Sequence, residues 1–217
     1  TGRRQRQMCI RDRLDPELVA NLAKAKSQGY ESWQNAKRNS DFKIFLPYFE
    51  QLIILRREEA NQLSDKLSPW GTLAQPYEPD INKDWLFNIF NPLKESIPSM
   101  LKEIKAIDKK KWDIDFSAQQ VLCNKLLDNF GRNEDLVAIA ESPHPFSITL
   151  GPKDYRITTR VVKGEPFSSF LATAHEWGHS IYEQGLPNET HQWFAWPLGQ
   201  ATSMAVHESQ SLFWENR

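Results

Sequence analysis

A chain of 217 residues with 40% hydrophobic and 25% charged content can bury a sizeable core, and its length fits one or two domains. Twenty-seven basic against 28 acidic side chains leave a formal net charge of −1, which excludes bulk electrostatic attraction to nucleic acid or a membrane surface. Charges interrupt every apolar run, so no transmembrane span is expected, and two cysteines, Cys9 and Cys123, make no disulfide framework. A reducing, cytoplasmic setting follows from that cysteine usage.

Residues 1–13 (TGRRQRQMCIRDR) carry five Arg and no apolar periodicity. They read as a non-native segment rather than a basic arm, because nothing downstream supports a nucleic-acid role. Asp15 and Pro16 form an N-cap and first-turn proline for a helix through Leu18, Val19, Leu22 and Ala25 to Gly29. A second helical run covers Tyr30 to Arg38. Asp41 caps a long helix with Phe42, Phe45, Phe49, Leu52, Ile53, Leu63 and Leu67. Pro47 inside it requires either a later start or a kink.

Ser68 to Lys83 reads as a loop, with Pro69, Pro76, Pro79 and Gly71. Helical pattern resumes from Asp84 to Ile107, with interruptions expected at Pro92 and Pro98. Ser117 to Gln120 forms a capping-box signature for a helix closed by Gly131. Phe146–Leu150 and Tyr155–Val162, rich in Phe, Ile, Thr and Val, predict two strands of a hairpin. A helix then runs from Phe167 to Gln184, with Pro166 before it and Gly185 as a left-handed stop. A loop from Leu186 to Pro197 leads to a last helix starting near Leu198 and running on at Glu215.

The helix over 167–184 contains His175-Glu176-Trp177-Gly178-His179. Residues four apart share a helix face, so both imidazoles can reach one Zn²⁺. Glu176, beside the first histidine, is placed to hold an attacking water and take its proton. A lone histidine is more often a satisfied core or surface residue. Two at this spacing, on an amphipathic helix with a carboxylate between them, favour a metal site.

Two histidines leave a catalytic zinc one protein ligand short. The extended form with a third histidine is excluded, because Tyr182 and Gly185 stand where Gly and His would fall. Glu183 lies one turn beyond His179, Glu189 falls in the loop, and Glu215 sits near the end of the last helix. Glu208 is the best candidate, 29 positions after His179 (208 minus 179). On a helix starting near 198 it shares a face with Ala201, Ala205 and Leu212, and a carboxylate on such an apolar face calls for a counter-charge. The competing reading is a salt-bridged helix residue. His207 is rotated about 100° from Glu208, which suits a supporting role.

Four stretches in order carry a resemblance to a known family: His144-Pro145-Phe146, Asp154-Tyr155-Arg156-Ile157-Thr158, His175-Glu176-Trp177-Gly178-His179 and His207-Glu208-Ser209-Gln210. Together they resemble the carboxypeptidase Taq family of metallocarboxypeptidases. The resemblance implies a mainly α, zincin-type helical fold with a small β-sheet or hairpin beside the metal helix. It also implies removal of single residues from peptide C-termini with broad specificity, a zinc or cobalt ion, and a homodimer. His175, His179 and Glu208 would be the ligands and Glu176 the general base. Family members are substantially longer, so residues 14–217 are expected to be an internal fragment of one helical domain, truncated at both ends.

The strand from Asp154 to Val162 is a candidate for pairing with an extended peptide, and Arg156 or Arg160 for holding its terminal carboxylate. A structural salt bridge is the plainer reading of either arginine. Other functional readings are a zinc endopeptidase with the same ligand set, a helical scaffold with a structural metal or none, and a piece inactive by itself.

Overall fold

The computed structural model describes residues 13–63, 67–104, 112 and 114–216. The expectations for residues 1–12, including Cys9, and for the helix end at Ile107 lie outside these. The described residues fall into two compact units that divide between Ser99 and Met100.

In the first unit, helix α1 (Pro16–Asn39) opens as expected: the Asp15 carboxylate accepts from Glu17 N–H at 2.8 Å, and Pro16 occupies the first turn. It does not stop at Gly29. Leu18, Leu22, Ala25, Gly29, Ser32 and Ala36 form one buried stripe along a single helix. A Cβ on Gly29 would lie 2.9 Å from Leu52 Cδ1, so the glycine serves close helix packing rather than termination. The chain reverses at Ser40, in the left-handed region at φ 51°.

Asp41 caps a 3₁₀ turn (Phe42–Ile44), its carboxylate accepting from Lys43 N–H. Helix α2 (Leu46–Leu63) begins after it. Pro47 therefore sits in a first turn, where its missing N–H costs nothing. Leu14, Leu18, Leu22 and Leu63 make the buried cluster of this unit.

The stretch expected as a loop from Ser68 contains a short helix, α3 (Pro69–Ala74), capped by the Ser68 hydroxyl on Gly71 N–H. Helix α4 (Lys83–Glu103) continues through Pro92 and Pro98 rather than breaking at them. Proline φ is compatible with a helix, and what each ring removes is one hydrogen bond.

In the second unit, α5 (Phe116–Asn129) is capped by Asp115, not Ser117. The Asp115 carboxylate accepts from Ala118 N–H at 2.7 Å and from the Ser117 hydroxyl at 2.9 Å. These bonds hold its pKa below the usual carboxylate value. Strands β1 (Val137–Glu141), β2 (Ser147–Gly151) and β3 (Asp154–Thr159) form a sheet in the order β1-β3-β2. The expected hairpin is present as antiparallel β2 and β3, although β3 ends at Thr159 instead of Val162. Strand β1, parallel to β3, was not expected.

Helix α6 (Pro166–Gln184) lies on this sheet. Tyr155 and Ile157 of β3, Val137 of β1, Leu127 of α5 and Trp177 of α6 form one buried cluster. A fully buried polar set ties the other end of α6 down. The Ser169 hydroxyl donates to Gln119 Oε1 at 3.0 Å, and Gln119 Nε2 donates to the Ile114 and Val162 carbonyls. The Thr173 and Thr159 hydroxyls meet at 3.0 Å. Gly185 closes α6 with φ −78°, a right-handed conformation and not the left-handed stop expected of it.

The last helix starts later than the pattern suggested. A 3₁₀ turn (Pro197–Gly199) precedes it, and α7 covers Met204–Asn216. Helices α6 and α7 meet backbone to backbone: a Cβ on Gly178 would lie 2.6 Å from both Gln210 O and Ser211 Cα. Trp214 adds an edge-on contact to Phe130 at 4.8 Å and one to Trp177 at 6.3 Å. Among the described residues no helix is long and apolar enough to cross a membrane.

Gly178→Ala places a methyl group inside occupied backbone space, so the helices must separate. The expected cost is at least about 1–3 kcal/mol, read as a lower midpoint in urea unfolding followed by circular dichroism. A midpoint equal to that of the unsubstituted chain would contradict this packing.

Candidate metal centre

The residues between the two histidines explain how α6 presents them. Trp177 points into the core and Gly178 faces α7, which turns His175 and His179 toward the rim of the α6–α7 contact. Their rings stand 4.9 Å apart and nearly perpendicular. Opposite them on α7 is Glu208. His175 Nε2 lies 3.4 Å from one Glu208 carboxylate oxygen and His179 Nε2 lies 3.4 Å from the other.

His175, His179 and Glu208 offer donor atoms that all lie within 4.8 Å of one another. In a tetrahedral zinc site with bonds of about 2.0–2.1 Å, neighbouring donors stand roughly 3.3 Å apart, so the two histidine–carboxylate separations fit such an ion. Two imidazoles and one carboxylate are also the donor chemistry a catalytic zinc takes.

Glu208 reaches this place for a reason other than the one read from the sequence. Ala201 precedes α7, while Ala205 and Leu212 are exposed, so no buried apolar face surrounds the carboxylate. Its side chain is 45% exposed. The close approach at Gly178 and Ser211 carries it to the histidines, and the Ser211 hydroxyl bonds back to the Glu208 carbonyl at 2.7 Å.

Each histidine turns its Nδ1 away from Glu208, toward a further group. His175 Nδ1 lies 2.9 Å from a Glu215 carboxylate oxygen. His179 Nδ1 lies 2.6 Å from His207 Nδ1, and His207 Nε2 lies 2.9 Å from Glu183 Oε1. Glu183 and Glu215, weighed from the sequence as rival third ligands, thus stand behind the histidines. Their spacing carried the signal: Glu183 is one turn beyond His179, and Glu215 is two turns beyond Glu208.

Glu176 is buried on the same helix. Burial raises its pKa to about 7, the nearby Glu208 charge adds to this, and His175 and His207 oppose it. Burial, followed by the charges of His207 and His175, lowers the pKa of His179 to about 4, which keeps it in the neutral form a metal requires.

Among the described residues, no hydrogen bond or ion pair joins either arginine to the three donors. Arg156 is exposed and holds Asp154 through two hydrogen bonds of 2.8 and 2.9 Å, which keeps the Asp154 pKa low. It lies on the sheet face opposite Tyr155 and Ile157, whose face packs on α6. Arg160 is exposed just past the end of β3. Strand β3 itself cannot take up a peptide by strand addition, because β1 and β2 already flank it on both sides. The other two signature stretches meet each other: Thr158 Oγ1 accepts from Phe146 N–H at 2.9 Å and lies 2.6 Å from the Ser142 hydroxyl.

Known proteins resemble this chain in sequence and in fold. The sequence model for carboxypeptidase Taq (M32) metallopeptidases matches residues 2–217. Thermostable carboxypeptidase 1 of Thermus thermophilus is 35% identical, over 99% of this chain and 44% of its own length. Carboxypeptidase 1 of Bacillus subtilis is 34% identical, over 92% of this chain and 40% of its own length. Among solved structures, BsuCP superposes with a TM-score of 0.85 at 29% identity, covering 98% of this chain and 43% of that one. Trypanosoma cruzi metallocarboxypeptidase 1 gives 0.76 at 30% identity, covering 94% and 42%. The chain spans less than half the length of the relatives it matches. It belongs to the carboxypeptidase Taq (M32) family of metallopeptidases.

Proposed function

We propose that this chain carries the metal centre of a zinc-dependent carboxypeptidase that hydrolyses the C-terminal peptide bond of peptides. One observation carries the reading: two Nε2 atoms from α6 and a carboxylate from α7 converge, with the buried Glu176 beside them on the histidine helix. His175, His179 and Glu208 would hold the ion. When bound, a divalent cation supplies a Lewis acid that polarises a carbonyl and makes water a nucleophile at neutral pH.

Glu176 acts as general base. It takes the proton of the attacking water and returns it to the departing amine as the C–N bond breaks. Its burial beside the two histidines keeps the carboxylate out of bulk water, so the proton it takes is passed on within the site. Arg160 is the stronger candidate for the substrate carboxylate, since Asp154 already occupies Arg156. Two imidazoles and a carboxylate suit zinc and accept cobalt as well, and a homodimer in a reducing cytoplasm completes the reading for the whole protein.

An endopeptidase with the same ligands is not favoured, since the matched relatives are carboxypeptidases. Peptides with free and amidated C-termini separate the two. Cleavage is expected only of the free form, and equal rates on both would replace this reading with an endopeptidase. Glu176→Gln in the whole protein is expected to keep stoichiometric zinc while hydrolysis falls by about 10²–10⁴-fold. Undiminished turnover by that variant would remove Glu176 from its role.

A further inference from the structure

The hydrogen-bonding partners behind the two histidines differ in kind. His175 meets a carboxylate directly, through Glu215. His179 meets a second imidazole, His207, and the carboxylate of Glu183 lies one step further out. Tyr182 closes the side of this stack with its ring edge-on to His207 at 5.0 Å. The His207 side chain is 14% exposed and that of His179 is 13% exposed, so bulk water has little access to their contact.

Hydrogen-bond parity then sets the protons. An ionised carboxylate only accepts, so the Glu183–His207 contact requires a proton on His207 Nε2. Two lone pairs cannot face each other at 2.6 Å, so one proton lies between the two Nδ1 atoms; when the His179 Nε2 lone pair is given to an ion, that proton is His179's own and His207 Nδ1 accepts it. The chain of contacts is thus matched to a His179 lone pair on Nε2, the atom that faces Glu208.

We propose that Glu183 and His207 are positioning residues, a relay through which a carboxylate two side chains away holds His179 in its metal-binding tautomer. This deepens the zinc reading and rests on it. Removing the outer partner of a metal-ligating histidine typically weakens metal affinity about 10–100-fold, and the relay extends that dependence by one imidazole. Glu215 is the one-step counterpart on His175.

The test uses the whole protein and Zn²⁺ alone. Affinity is measured by competition with a chromophoric chelator for the unsubstituted protein, His207→Phe, Glu183→Ala and Glu183→Gln. His207→Phe keeps the ring that packs on Tyr182 and removes both hydrogen bonds. It and Glu183→Ala are expected to weaken zinc binding about 10–100-fold. Glu183→Gln, which retains an accepting oxygen, should recover part of the loss. Ring ¹⁵N spectra of the unsubstituted, zinc-loaded protein should place the His207 proton on Nε2, a readout that needs no variant to fold. A His207 proton on Nδ1, or unchanged affinity in folded His207→Phe, overturns the relay while leaving the zinc reading standing. An unsubstituted protein that binds no zinc overturns both.

Discussion

The site depends on one steric fact: the α6 and α7 backbones touch at Gly178. With any side chain there, the nearest atoms of Gln210 and Ser211 would have to move, and Glu208 would move with them. The pentapeptide that presents the histidines therefore has a second function in its middle. Trp177 anchors the helix in the core formed with β1, β3 and α5, while Gly178 admits the helix that brings the acidic donor. Chemistry and packing occupy alternate faces of the same turn.

Around that contact the polar groups are arranged in shells. The donors face inward through Nε2 and carboxylate oxygens, and each imidazole is backed by a further partner, so neither ring can rotate without breaking a hydrogen bond. Trp214, packed on Phe130 and Trp177, fixes the end of α7 where Glu215 lies. At the opposite end of α6, the Gln119–Ser169 bond and the Thr159–Thr173 contact set the helix against the sheet. These polar groups are fully or almost fully buried, and leaving one unpaired costs about 1–3 kcal/mol, which holds the helix in a single register.

Much of this was legible in the sequence because it is local. The spacing of His175 and His179, the cap at Asp15 and the alternation in β2 and β3 each lie within a few residues. What escaped depends on contacts between distant segments. Gly29 reads as a stop until Leu52 is seen against it, and β1 is five residues, two of them alanine, too short for a period to emerge. Ser117 resembles a cap, yet Asp115 takes the position because its carboxylate reaches Ala118 N–H. The sequence argument for Glu208 rests on a buried apolar face that α7 does not have, since Ala201 precedes the helix and Ala205 and Leu212 are exposed. Its proximity to the histidines is a matter of tertiary packing, which no spacing rule encodes.

The division of the donors between two helices has a further consequence for the chain as a polymer. His179 and Glu208 enclose residues 180–207, a stretch with little regular structure between Gly185 and Ser203 beyond one 3₁₀ turn. An ion held by both ends would close this stretch into a ring, as a disulfide does. For a loop of roughly 30 residues, such a closure removes about 3–4 kcal/mol of entropy from the unfolded ensemble. The chain would then use its cofactor as a reversible crosslink between α6 and α7.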